Sequence, residues 1–207
     1  MRDHPIPPVT EPLQYRAIGV VRGIYKPEKP NILTRGYLID AQGNEIEAVV
    51  LGRVLGLMKR YLAIEKAHLW VVYPRNKDSN QLHLQIGGIW EPSTLDLNKE
   101  KKDQGGSSID NLKEGDDYFS IRGELVYTKP ELNEVVVKIR QKSRSNNNKP
   151  LPFKIKLKGD ISLDHVRNFV SLEARRNGQM LCLEKYEIIQ EMPTRGGKKA
   201  GKRVINN

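Results

Sequence analysis

The sequence predicts a mainly β protein made of two small β barrels in tandem, with a helix in the first barrel and a disordered basic tail after the second. Of its 207 residues, 38% are hydrophobic and 29% are charged, which suits two small cores better than one large core. The two halves also resemble each other at an offset of about 100 residues. A polar stretch with Gly105, Gly106, Ser107 and Ser108 at its centre separates them, as is typical of a flexible linker.

The internal repeat is clearest at the start of each half, where residues 15–28 align with residues 118–131 without a gap. Shorter matches follow in the same order along both halves. Matches that keep their order indicate two copies of one fold. We therefore expect two separately folded pieces with these limits: a first barrel over 13–92, a flexible linker over 93–117, a second barrel over 118–193 and a disordered basic tail over 194–207.

Each copy has the same predicted order of elements, namely three strands, a helical segment and a closing hairpin. In the first copy, apolar residues recur at helical spacing from Val54 to Leu62, which predicts a helix after the third strand. The second copy has only a short counterpart over 162–168, with Ser162 as its N-cap. Its closing hairpin turns at Asn177-Gly178, a strong hairpin signal.

Three strands, a helix and a hairpin in about 80 residues resemble the OB-fold, a five-stranded Greek-key barrel. The resemblance lies in the order and length of the elements over most of the chain. It implies a binding surface on the second and third strands, flanked by the first loop and the last hairpin loop. The main alternative is an SH3-like barrel, which lacks the helix between the third and fourth strands.

The second barrel contains a strongly basic hairpin. Residues 135–159 hold eight Lys or Arg and no Asp or Glu, in a chain with a net charge of +10. Like charges opposed across strands destabilise a sheet unless an anion binds between them. Strand alternation places six basic side chains on its outer face: Lys138, Arg140, Lys142, Lys154, Lys156 and Lys158. The alternative is a solvated face whose lysines discourage edge pairing.

The other candidate contacts with nucleic acid are aromatic and basic residues. In the first barrel they are Tyr25, Tyr37 and Tyr73, which could stack on bases, and Lys26, Arg35 and Arg75 among them. Trp70 and Trp90 are either core or contact residues. The remaining candidates flank the last turn or lie in the tail: Arg175, Arg176, Lys198, Lys199, Lys202 and Arg203.

Other function classes find little support in the sequence. The N-terminus has no apolar signal segment and no stretch could span a membrane, so we expect a cytoplasmic protein. The single cysteine, Cys182, and four scattered histidines do not have metal-ligand spacing. Neither a nucleophile elbow nor a zinc-protease motif occurs. We therefore expect no catalysis, no metal and no cofactor.

Two functions remain. The first is non-enzymatic binding of single-stranded nucleic acid, with RNA favoured over DNA. The second is a protein-binding assembly adaptor in a nucleoprotein or ribosome-associated complex. Salt dependence separates them, because each phosphate contact to a single strand contributes about −0.7 to the salt slope of affinity.

Overall fold

The computed structural model describes residues 4–77, 81–92, 110–141 and 150–193, which form a mainly β protein with one continuous sheet of ten strands. The elements in this part of the chain are β1 (Arg16–Lys29), β2 (Ile32–Ile39), β3 (Glu45–Val50), α1 (Gly52–Tyr61), β4 (Ala67–Lys77), β5 (Gln81–Ile89), β6 (Tyr118–Lys129), β7 (Glu134–Ile139), β8 (Phe153–Lys158), β9 (Asn168–Asn177) and β10 (Met180–Glu191).

The sheet closes twice on itself, once in each half of the chain. In the first half the neighbours run β1-β2-β3-β5-β4 and back to β1, and in the second half β6-β7-β8-β10-β9 and back to β6. Only the β3–β5 and β8–β10 pairs are parallel among the pairings described. The two halves therefore share one barrel topology, which confirms the predicted tandem of five-stranded barrels.

The segment between the third and fourth strands differs between the barrels, as the sequence predicts. In the first barrel α1 buries Val54 and Met58 and has Lys59 and Arg60 in its last turn. In the second barrel a 3₁₀ turn over Leu163–His165 takes its place, and the Ser162 side chain accepts a hydrogen bond from the Asp164 backbone. No helix in the described ranges is long and apolar enough to cross a membrane.

The two barrels are joined by direct strand pairing, which the sequence analysis did not predict. The domain bounds remain a prediction, since most of the linker expected over 93–117 and all of the tail expected over 194–207 lie outside the described residues. The start of β1 pairs antiparallel with the start of β6 and sets Gly19 opposite Phe119. A Cβ atom at Gly19 would overlap the Phe119 ring, so glycine is required for this approach. One buried apolar cluster runs through the junction and includes Val21 of the first barrel and Val137 of the second.

Each barrel also reaches the third strand of the other with its last hairpin. From β4, the Arg75 guanidinium lies 3.7 Å from the centre of the Phe153 ring at the start of β8. From the β9–β10 turn, Gln179 donates a hydrogen bond of 2.6 Å to the carbonyl oxygen of Glu45 at the start of β3. These reciprocal contacts fix the orientation of the two barrels.

A buried ion pair links the barrels beside these contacts. Arg176, at the end of β9, donates to Asp40 in the β2–β3 turn at 2.9 Å and to Asp117 at 2.7 Å. The side chains of Arg176 and Asp40 are only 2% and 3% exposed. Burial acts to raise the pKa of Asp40, but hydrogen bonds from Asn44 and Arg176 hold that pKa below its ordinary value. The carboxylate is therefore charged and depends on Arg176.

We predict that Arg176→Leu destabilises the whole protein. It leaves the buried Asp40 carboxylate without its cation, which typically costs about 3–5 kcal/mol. Urea unfolding should show this loss, still in one transition, because the barrels share a core. The control Lys185→Gln removes an exposed ion pair with Glu173 and should cost at most about 1 kcal/mol. Equal losses for the two variants would contradict the role given to Arg176.

Candidate nucleic-acid interface

The predicted alternation in the basic hairpin is confirmed. Val135, Val137 and Ile139 of β7 and Ile155 and Leu157 of β8 are buried. The outward residues form a grid because β7 pairs with both β6 and β8. Its three rows, with Arg140 beyond the last, define the basic face: Lys129, Glu134 and Lys158; Tyr127, Val136 and Lys156; Glu124, Lys138 and Lys154.

Two carboxylates of the basic face were missed by the charge count over 135–159, because Glu134 directly precedes that range and Glu124 lies on the neighbouring strand β6. Glu124 of β6 is almost buried and accepts from Lys138, from Arg140 at 2.7 Å and from the Tyr15 hydroxyl. Glu134 lies 2.5 Å from the Lys156 ammonium. In the described part of the chain, Lys154 and Lys158 are exposed and form no ion pair.

The Glu124 cluster holds its side chains in place. Burial acts to raise the pKa of Glu124, but hydrogen bonds from Lys138 and Tyr15, with the charges of Lys138 and Arg140, lower that pKa overall. Burial and the neighbouring carboxylate together raise the pKa of Tyr15 to about 12. Glu124 is therefore a fixed negative charge that offsets much of Lys138 and Arg140. Lys154 and Lys158 carry the less compensated charge.

Tyr127 is the aromatic residue that the sequence analysis missed. It is 43% exposed and lies opposite Val136 in the middle row of the basic face. A β-bulge between Leu125 and Tyr127 changes the alternation of β6. Thr128 points inward instead, and its hydroxyl donates to the Ile161 carbonyl oxygen at 2.8 Å.

The prediction that Tyr25 stacks on bases is wrong. Its side chain is 1% exposed, and its hydroxyl donates to the Leu33 carbonyl oxygen at 3.0 Å. The internal repeat is consistent with this burial, since Tyr25 aligns with Thr128, which is also buried. Strand alternation indicates the same, because Tyr25 lies on the same face of β1 as the buried Val21.

The prediction that Arg176 contacts nucleic acid is also wrong, because its guanidinium is buried in the ion pair between the barrels. Arg175 is held by Glu184 and by the Asp116 carbonyl oxygen. The open question about the tryptophans is settled for Trp70, which is fully buried and donates to the Gly23 carbonyl oxygen. Trp90 is half-buried at the edge of a smaller apolar cluster.

The remaining candidates fall into two places. Lys26 lies opposite Tyr37 on the outer side of β1 and β2, with Arg35 exposed on the same face of β2. Tyr73, Arg75 and Arg140 line one cleft between the barrels. The other candidates lie outside the described residues: Lys142, Lys198, Lys199, Lys202 and Arg203.

Comparison with known protein families gives two matches. Residues 17–97 match the family model described as the PatR RNA-binding protein, N-terminal OB-fold domain. Residues 121–190 match the model described as the cyanobacterial OB-fold-like RNA-binding domain, C-terminal. The two ranges coincide closely with the first and second barrels. No curated protein matches the chain.

We predict that Glu124→Gln lowers stability by about 1.5–3 kcal/mol, because the variant weakens charge-assisted hydrogen bonds to a buried group. Since the folded-state pKa of Glu124 is lowered, its contribution is present above the ordinary value of 4.5 and is lost as pH falls through the folded-state pKa. Urea unfolding at neutral and acidic pH should show the two proteins converging in acid. The control Glu134→Gln, in a more exposed pair, should cost at most about 1 kcal/mol. If the stability difference between Glu124→Gln and the unmodified protein persists in acid, Glu124 does not have the role given to it here.

Proposed function

Because the chain belongs to the OB-fold superfamily and carries two of its barrels in tandem, we propose that it binds single-stranded RNA, without catalysis, through the basic face of the second barrel. One observation carries the proposal. β7 and β8, the second and third strands that OB-folds use for oligonucleotides, carry four lysines of the basic face, and the adjoining β6 adds Lys129 and the exposed Tyr127. The RNA-binding description of both matching families favours RNA over DNA.

The basic face suits a single strand in its spacing as well as its charge. Lys154, Lys156 and Lys158 alternate along β8 and are therefore about 7 Å apart, so successive ammonium groups can follow a phosphate backbone. Tyr127 and Val136 form an apolar centre between the basic rows. A base stacked on Tyr127 would contribute about 1–3 kcal/mol, independently of sequence, because every base has an aromatic face.

The exposed Leu132 extends this surface. It belongs to a 3₁₀ turn over Pro130–Leu132 that connects β6 to β7, and it is 54% exposed. This turn is the first loop of the barrel, which borders the binding surface in OB-folds. Leu132 therefore offers an apolar contact to a base that lies beyond the edge of the basic face.

We predict that the double variant Lys154→Gln/Lys158→Gln weakens binding to a single-stranded RNA. The salt slope of affinity should flatten by about 0.7 for each phosphate that no longer has a lysine partner, and the fold should be unaffected because both lysines are exposed. Fluorescence anisotropy over a salt series measures both quantities. The control is Lys59→Gln/Lys185→Gln, which changes charge equally on exposed positions away from the basic face. Equal slopes for both double variants would contradict the proposal and favour a protein partner.

The tyrosine is tested separately. Tyr127→Leu should weaken RNA binding by about 1–3 kcal/mol at any salt concentration, because the variant removes the stacking ring and leaves every charge in place. Tyr186→Leu is the matched control, since Tyr186 is equally exposed but lies on β10. A parallel titration with DNA of the same sequence tests the preference for RNA. Equal affinities of the two tyrosine variants would remove Tyr127 from the site.

A further inference from the structure

A cleft of about 1190 Å³ lies between the barrels, lined by β1, α1 and β4 of the first barrel and by the end of β7 and the start of β8 of the second. Four arginines from different parts of the chain line it: Arg16 of β1, Arg53 of α1, Arg75 of β4 and Arg140 beyond β7. Among the described lining residues, the only carboxylate is Glu11. The cleft therefore carries an excess of positive charge, although Glu124 offsets Arg140.

Three of these arginines form no ion pair within the described residues. Arg16 donates to the Pro7 carbonyl oxygen and the Ser120 hydroxyl, and its Nε is buried without a partner. Arg75 stacks on Phe153 and donates only to the Pro74 carbonyl oxygen. Arg53 is exposed at the first turn of α1, a turn without an acidic residue or a side-chain cap.

The pairing of the barrels intensifies this positive charge. Arg16 lies directly opposite Arg122 across the β1–β6 junction, and Arg122 is also buried with its Nε unpartnered among the described residues. The charge of Glu187 acts to raise the pKa of Arg122, but the two side chains form no ion pair among the described residues. Like charges opposed in a sheet are unfavourable, so an anion in the cleft would relieve a repulsion that the fold imposes.

The cleft also offers an aromatic surface with a hydrogen-bond donor beside it. The Tyr73 ring lies against Gly87, so close that a Cβ there would overlap it, and this contact fixes the ring. Tyr73 and Arg53 also line an adjoining pocket of about 390 Å³ that contains Trp90. The indole Nε1 of Trp90 is buried and has no acceptor among the described residues, although buried donors normally have one. A polar acceptor on a ligand would complete it.

We propose that this cleft is a second RNA subsite, so that one single strand continues from the basic face into the junction and spans both barrels. Phosphates bind Arg53 and Arg16, and a base packs against Tyr73 within reach of the Trp90 indole. Arg140 connects the two subsites, because it lines the cleft and shares Glu124 with Lys138 of the basic face. This inference depends on the proposed RNA binding.

Oligonucleotides of two lengths test the inference on the full chain. Since one OB-fold covers about 4–16 nucleotides, an RNA of about 5 nucleotides should occupy the basic face alone, and one of about 15 should also enter the cleft. Arg53→Glu should lower affinity for the longer RNA by roughly tenfold or more and leave the shorter one unchanged. A carboxylate at a helix start is favourable, so the variant should fold. Arg60→Glu, on the same helix but outside the cleft, is the matched control.

A second variant tests the aromatic contact. Tyr73→Leu keeps the apolar packing on Gly87 but removes the ring, and it should reduce affinity for the longer RNA only, by roughly five- to hundredfold. Tyr73→Phe should retain that affinity. Photo-crosslinking of a thiouridine-containing RNA should label peptides that contain Tyr73 or Arg53.

The outcomes separate the two proposals. If Lys154→Gln/Lys158→Gln weakens both lengths while Arg53→Glu and Tyr73→Leu behave like their controls, the cleft is not an RNA subsite and the basic face stands alone. If the unmodified protein binds neither RNA, the proposed function fails and this inference fails with it. Length-dependent losses confined to the cleft variants would support a strand that spans both barrels.

Discussion

The pairing of β1 with β6 is the constraint on which the rest of the molecule depends. It brings the first strands of two barrels side by side, with Gly19 opposite Phe119, and it merges their apolar cores into one cluster. The Arg176–Asp40 ion pair and the arginine-lined cleft both lie between the barrels that this pairing joins. The two repeats therefore share one apolar core.

This arrangement explains how the charge of the chain is distributed. A net charge of +10 would destabilise a compact protein if it were spread over one face. Some of the basic side chains are paired with acids between or within the barrels, as Lys138 and Arg140 are with Glu124 and as Arg176 is with Asp40. Lys154 and Lys158 of the basic face and Arg16, Arg53 and Arg75 of the cleft are among the described basic residues without an ion pair, and an anionic ligand can reach them there.

The sequence predicted the fold well because strand alternation and the repeat are local signals that survive in one chain. It predicted the outward lysines of β7 and β8 for the same reason. It failed where a long-range partner decides the outcome: Asp40 is 136 residues from Arg176, and the acid that holds Arg140 is on another strand. Tyr127 was missed because a bulge changes the parity of β6, which no composition pattern reveals.

The most direct measurement is hydrogen–deuterium exchange of the full chain with and without a single-stranded RNA long enough to cross both barrels. The account predicts slower exchange in β7 and β8, in the turn around Leu132 and at the start of α1, with β10 unchanged as an internal control. Slower exchange on β9 and β10 with none on the basic face would contradict it. So would protection of a single barrel by an RNA that is long enough to reach both.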